Sequence, residues 1–159
     1  LTFPDGTGPE RSLRAIDPER IGAMFALNTI GPALIAKHVL PLLPRDGRSV
    51  FAALSARVGS IGDNRLGGWH SYRASKAALN MLLRNFAIEL SRTHREAVVA
   101  ALHPGTVDTA LSAPFQRGLR EGQLQDAAAS AAALLTVIDG LRPEDSGGFF
   151  AFDGNRIEF

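Results

Sequence analysis

Residues 54–80 read LSARVGSIGDNRLGGWHSYRASKAALN, and within them Tyr72 and Lys76 stand four apart at the head of a segment with helical apolar spacing. Residues four apart share one face of a helix, which brings an ammonium beside a phenol. A free phenol titrates near pH ~10. A cation about 4 Å away, at an effective dielectric of about 20, favours the ionised form by roughly 4 kcal/mol, or about three pKa units. The spacing therefore predicts a tyrosine able to exchange protons near neutral pH. A tyrosine and a lysine so placed also occur on ordinary exposed helices, so the surroundings decide.

Outward from this stretch, Gly47 to Ser55 reads as a buried strand opened by a turn and ending in small and hydroxyl residues before Gly59-Ser60-Ile61-Gly62. Ser71 to Arg92 follows as a helix, with Ala74, Ala77, Ala78, Met81, Leu82, Phe86, Ala87 and Leu90 at helical spacing. Val98 to Leu102 is apolar throughout, as expected of a strand covered on both faces. Pro104-Gly105 then imposes a sharp turn, which predicts that the peptide groups of Thr106 and Val107 are free to bond outward. Upstream, Leu1 to Ala15 reads as a loop, and Asp17-Pro18-Glu19 starts a helix that runs to Leu40. Pro32 kinks that helix, because it lacks the N–H that would bond the Asn28 carbonyl. Downstream, 111–123 reads as a mobile flap, Leu124 to Ile138 as a helix stopped by Gly140, and Gly148 to Phe152 as a last strand.

The 159 residues suit one globular domain, since 45% of them are hydrophobic and 21% charged. The net charge of +1 and the lack of any basic run argue against a nucleic-acid surface. No eighteen-residue apolar stretch or signal peptide is read, so neither a membrane span nor export is expected. Cysteine is absent, which excludes disulfides and thiolate metal sites and agrees with a cytoplasmic location. His38, His70, His94 and His103 match no zinc spacing, so no metal is expected, and each is read as a surface or loop residue.

A strand, a Gly/Ser loop, Tyr-x-x-x-Lys opening a helix, and LHPGTVDT after a second strand resemble, in combination, the C-terminal half of a short-chain dehydrogenase/reductase. The wording SARVGSI, GGWHSYRASKAALN and LHPGTVDT is most similar to its C-factor and Sniffer-type carbonyl reductase subgroup. The resemblance implies an α/β fold, the second half of a Rossmann-type doubly wound parallel sheet. Its three parallel strands are Ser49 to Ser55, Val98 to Leu102 and Gly148 to Phe152, with helices on both faces. It implies an oxidoreductase interconverting a small carbonyl compound and its alcohol with NADP(H) or NAD(H). Tyr72 would be acid or base, Lys76 would lower its pKa and hold the ribose, a serine would polarise the carbonyl, and the Asn28 carbonyl would anchor a relay water. Pro104, Gly105, Val107 and Thr109 would grip the nicotinamide carboxamide. A homodimer or homotetramer would assemble across the helices carrying Asn28 and Tyr72, although core packing within one subunit explains the same apolar residues.

Several assignments stay open on the sequence. The family's serine stands three residues before a loop glycine, and Gly59 puts Ala56 there, so Ser55 and Ser60 are the two substitutes, with Ser55 preferred and a plain turn-stabilising role open to either. Asn28 is also placed to do no more than cap a broken helix. Trp69 and His70 are candidates to line a substrate mouth, with Trp69 packed over its own loop as the other reading. No G-x-G-x-x-G or TGxxxGxG pattern occurs, so the glycine-rich, cofactor-binding first half is expected to lie outside this sequence. If the native chain began near Leu1, it would instead be an inactive remnant acting as a binding or signalling partner.

Overall fold

The computed structural model describes residues 8–119 and 121–159; of the loop expected over Leu1 to Ala15, the first seven residues lie outside these. Three parallel strands, β1 (Ser49–Leu54), β2 (Ala97–His103) and β5 (Phe149–Ala151), lie in the order β1-β2-β5. Their registers run from Ser49↔Ala97 to Leu54↔Leu102 and from Ala101↔Phe149 to His103↔Ala151.

Residues Ala97 to Leu102 of β2 are all buried, and their side chains alternate between two cores. Ala97, Val99 and Ala101 pack with Leu79, Leu83, Ala87 and Leu90 of α3 (His70–Leu90) and with Ala36. Val98, Ala100 and Leu102 pack with Leu134, Val137 and Ile138 of α4 (Ala127–Gly140) and with Leu141 and Phe150. The continuous apolar run is thus a strand with helices above and below it.

The first helix starts as its sequence dictates, with Asp17 accepting from the Arg20 N–H at 2.9 Å ahead of α1 (Pro18–Phe25). A π-helical turn over Ala26–Ile30 interrupts the helix just ahead of Pro32, the Gly31 N–H bonding the Ala26 carbonyl five residues back before α2 (Gly31–Val39) begins. Together with the turn that follows, the helical run Pro18–Leu42 is 25 residues long and apolar enough to cross a membrane by length and composition, which corrects the expectation that no such stretch exists. One face of it is committed to the protein. Met24, Thr29, Ala36 and Leu40 are buried, and the Thr29 hydroxyl donates to the Ser75 carbonyl of α3 at 2.8 Å.

Two further corrections concern the segments on either side of β2. Thr106–Val107 forms a short strand, β3, paired in parallel with β4 (Leu124–Gln125), so the first two residues assigned to the last long helix are extended and the helix starts at Ala127. Asp126 is the reason: its carboxylate caps the helix by accepting from the Ala129 N–H at 3.0 Å. His94 is buried rather than superficial, bonded to the Leu43 carbonyl at 3.2 Å and to the Thr93 hydroxyl at 2.8 Å.

Candidate active site

A cleft of about 230 Å³ opens beyond the carboxyl ends of β1 and β2, where ligands bind in sheets of this kind. Ser55, Ala56 and Arg57 form one wall, Tyr72 and Trp69 a second, and the run His103 to Val107 with Thr109 a third; Phe115 closes the rim. The structure thus brings together Tyr72, Ser55, Trp69, Pro104, Gly105, Val107 and Thr109. It leaves Lys76, Asn28, Ser60 and His70 outside the cleft walls.

Tyr72 enters from the first turn of α3, a helix end with an unusual anchor. Trp69, at its N-cap position, has φ 51° and no capping side chain. Such a conformation costs a bulky residue about 1–3 kcal/mol, and here Glu10 offsets it. The Glu10 carbonyl accepts from the Trp69 N–H at 2.6 Å, and its carboxylate accepts from the N–H of Ser71 at 3.2 Å and from the Ser71 hydroxyl. Burial pushes the Glu10 carboxyl up, but the bonds from Ser71, assisted by His70, outweigh it and leave the group below its ordinary range. Trp69 in turn packs edge-on against Tyr72 and Phe115, with ring centroids 6.5 and 5.1 Å apart. Arg73 ties down the Gly67 and Gly68 carbonyls ahead of it, at 3.1 and 3.0 Å. Trp69 therefore lines the cleft, whereas His70 turns to the other side, into a hollow with Ser60, Arg73 and Ala77.

Lys76 lies one turn beyond Tyr72 and donates to the Leu54 carbonyl at 3.0 Å, at the end of β1. Gly59 makes room for it: a Cβ there would stand 2.7 Å from the Lys76 Cβ and 2.9 Å from its carbonyl carbon. The expected lowering of the Tyr72 pKa is not what the structure shows. Burial raises the phenol above its ordinary value, and burial lowers the Lys76 ammonium to about 8. Both groups lose solvent, and each is driven toward its neutral form.

The two candidate serines separate. Ser55 lines the cleft, buried, and donates to Asn80 Oδ1 of α3 at 2.6 Å. Ser60 instead accepts from the Asp63 N–H at 3.0 Å and is a turn residue. Asn28 presents its side chain to α3, its Nδ2 3.2 Å from the Ser75 hydroxyl and 2.9 Å from Met24 Sδ, and Ser75 donates onward to the Tyr72 carbonyl at 2.9 Å. That is a brace between helices rather than the cap of a broken one.

Past the turn, Gly105 has φ +79°, and a Cβ there would lie 2.2 Å from Gln125 Nε2 and 3.0 Å from Phe152. Only glycine fits, which leaves bare backbone on the cleft wall. The Thr106 and Val107 peptides are not simply free, however, since they form β3. The Val107 carbonyl also accepts from the Ser112 hydroxyl and, at 3.4 Å, from that of Thr109. A phenol and a glycine-bearing backbone turn share the cleft, with an ammonium one turn further along α3, a set that would suit the nicotinamide end of a dinucleotide; no phosphate-binding glycine motif occurs in the sequence.

Glu10, Asn80, Phe115 and His103 were not assigned to the site from the sequence. Asn80, eight residues after Tyr72 on the same helix, and His103, inside the LHPG turn, carry a spacing signal; Glu10 and Phe115 carry none.

Residues 6–120 match the short chain dehydrogenase family. The chain is 39% identical over 145 residues to 1-hydroxy-2-glutathionyl-2-methyl-3-butene dehydrogenase of Rhodococcus sp. (strain AD45), covering 91% of this chain and 61% of that protein. It is 34% identical over 146 residues to C-signal of Myxococcus xanthus, covering 92% and 82%. Among solved structures, the carbonyl reductase Sniffer of D. melanogaster superposes with a TM-score of 0.81 at 25% identity, over 100% of this chain and 64% of that one. The NADPH-bound carbonyl reductase from chicken fatty liver gives 0.80 at 29%, over 96% and 63%. The chain therefore spans less than two thirds of the Rhodococcus relative and of both structures.

Proposed function

The chain belongs to the short-chain dehydrogenase family, and we propose that the protein it forms part of is a nicotinamide-dependent oxidoreductase interconverting a small carbonyl compound and its alcohol. One observation carries this reading: the Tyr72 phenol shares a cleft with Ser55 and the Pro104–Thr109 turn at the carboxyl ends of the strands. The NADPH of the chicken carbonyl reductase and the glutathionyl alcohol named for the Rhodococcus dehydrogenase support the reaction class.

Tyr72 holds the proton. Its raised pKa keeps the phenol protonated at neutral pH, which suits the acid needed when a carbonyl oxygen is reduced. Lys76, Pro104, Gly105, Val107 and Thr109 are the residues that would hold the cofactor's nicotinamide and ribose, and Ser55 buttresses the wall through Asn80. When bound, the reduced nicotinamide supplies the hydride. Asn28 acts through Ser75 to fix the turn of α3 that carries Tyr72.

A homodimer or homotetramer across α1–α2 and α3 belongs to the same reading. Leu27, Leu34, Ile35, Met81 and Ile88 are at least half exposed, so packing among the described residues does not account for them. The reading is tested by replacing Tyr72 with Phe in the full-length protein. Turnover of NADPH or NADH with a carbonyl substrate should fall by at least about 100-fold, the size of a general-acid contribution, while fluorescence titration of the cofactor stays near normal. The likeness to C-signal favours a second reading, a signalling or binding protein without turnover. Cofactor-independent inactivity of the unsubstituted full-length protein would select it.

A further inference from the structure

Few hydrogen-bond donors in the cleft are uncommitted. The Ser55 hydroxyl is given to Asn80, and those of Ser112 and Thr109 are given to the Val107 carbonyl. Position 56 is alanine. A carbonyl oxygen that gains negative charge is held best by more than one preorganised donor, and Tyr72 is one.

His103 stands where a second is needed. It ends β2, and the pairing Ala53↔Ala101, continued by the Ser55 N–H to the Leu102 carbonyl at 2.7 Å, sets Ser55 and His103 side by side. Both fall on the α3 face of the sheet, the face from which Tyr72 projects. The ring lines the cleft, and its Nδ1 is shut off from solvent with no partner among the described residues. A buried N–H without an acceptor is the rarer and costlier orphan, so the ring proton belongs on Nε2. Burial, and after it the charge of Arg57, lower the imidazole to about 4 against the opposing pull of Asp153, so the ring is neutral at pH 7 and carries one N–H. The Trp69 indole sits at the N-cap of α3 and the Thr106 hydroxyl on β3, and the Arg57 guanidinium donates to Asp63 at 3.2 Å, so none of them is an uncommitted donor at the strand end beside Ser55.

We propose that His103 is the second donor of the cleft, its Nε2–H bonding the oxygen of a bound carbonyl substrate that Tyr72 protonates. The inference rests on the oxidoreductase reading above. His103 gives up no proton: the proton that reaches the oxygen is that of Tyr72, and the imidazole N–H stays on its ring.

The test compares His103→Leu and His103→Gln in the full-length protein, with NADPH and 4-nitrobenzaldehyde as the probe. His103→Leu should lower kcat/KM by about 10–100-fold, the range of a lost oxyanion donor or somewhat below it, and His103→Gln, which keeps an N–H at the same reach, should restore most of it. Wild-type kcat/KM in His103→Leu, or equal losses in both variants, would overturn the proposal, the second outcome meaning that the ring only packs. The histidine ¹⁵N spectrum gives a readout that does not need turnover: the His103 Nε2 resonance should keep its neutral value down to about pH 5 and move when the aldehyde is added. If the unsubstituted protein oxidises neither NADPH nor NADH, the proposed function falls, and that resonance alone decides His103, an unmoved signal counting against it.

Discussion

Tyr72 and Lys76 are both desolvated, and that common cause acts on them in opposite directions. Burial lifts the phenol and drops the ammonium to about 8, so the resting state at neutral pH is a protonated phenol and, one turn along α3, a lysine that is still mostly charged. The sign of the Lys76 contribution to stability follows. Below about pH 8 the folded and unfolded chains both carry this proton, and between 8 and the ordinary 10.5 the folded chain has lost it while the unfolded one keeps it. This group therefore adds stability as pH rises through that window and adds none below it. An NMR titration following the Lys76 ¹³Cε resonance should show a midpoint near 8; a midpoint above 10 would mean that the ammonium is solvated. The spacing of Tyr72 and Lys76 was legible because it is local. The sign of the phenol's shift was not, because it depends on how much protein closes over the ring.

At the scale of elements, the amino end of α3 is held by a residue distant in the chain. Glu10 supplies the cap that Trp69 cannot, and its carboxylate contributes stability above the ordinary carboxyl pKa of 4.5, lost as pH falls through the lower folded value. Glu10→Gln should weaken the helix cap and lower stability at pH 7 by about 1–2 kcal/mol. It should also flatten the acid limb of thermal unfolding, measured by circular dichroism between pH 3 and 7. An unchanged midpoint at pH 7 would show that the backbone bond to Trp69 suffices. The three strands of the main sheet, α3 and the start of α1 were legible from periodicity and caps, since β2 is apolar on both faces and Asp17-Pro18 is a strong helix start. The β3–β4 pair and the Glu10–Ser71 bonds were not, because each joins segments many residues apart and leaves no periodic trace. Asn80 was hidden for a related reason: it occupies a core position on α3, and its polar role shows only once Ser55 is beside it.

At the scale of the whole chain, the apolar run Pro18–Leu42 has one face against α3 and another that the described residues leave bare. Ile35 is 60% exposed and Met81 62% exposed, so a second copy is the occupant that the proposed assembly supplies. The double variant Ile35→Glu, Met81→Glu should reduce the mass of the full-length protein from a dimer or tetramer to a monomer by light scattering; an unchanged mass would place the interface elsewhere. Hydride exchange with a carbonyl is proposed to take place in the Tyr72 cleft. It is tested most directly by supplying the full-length protein with nicotinamide cofactor deuterated at the transferring carbon and 4-nitrobenzaldehyde. Mass spectrometry should find one deuterium on the carbinol carbon of the alcohol, with its formation at least about 100-fold slower in Tyr72→Phe. Equal labelling rates in the two proteins, or unlabelled alcohol, would contradict it.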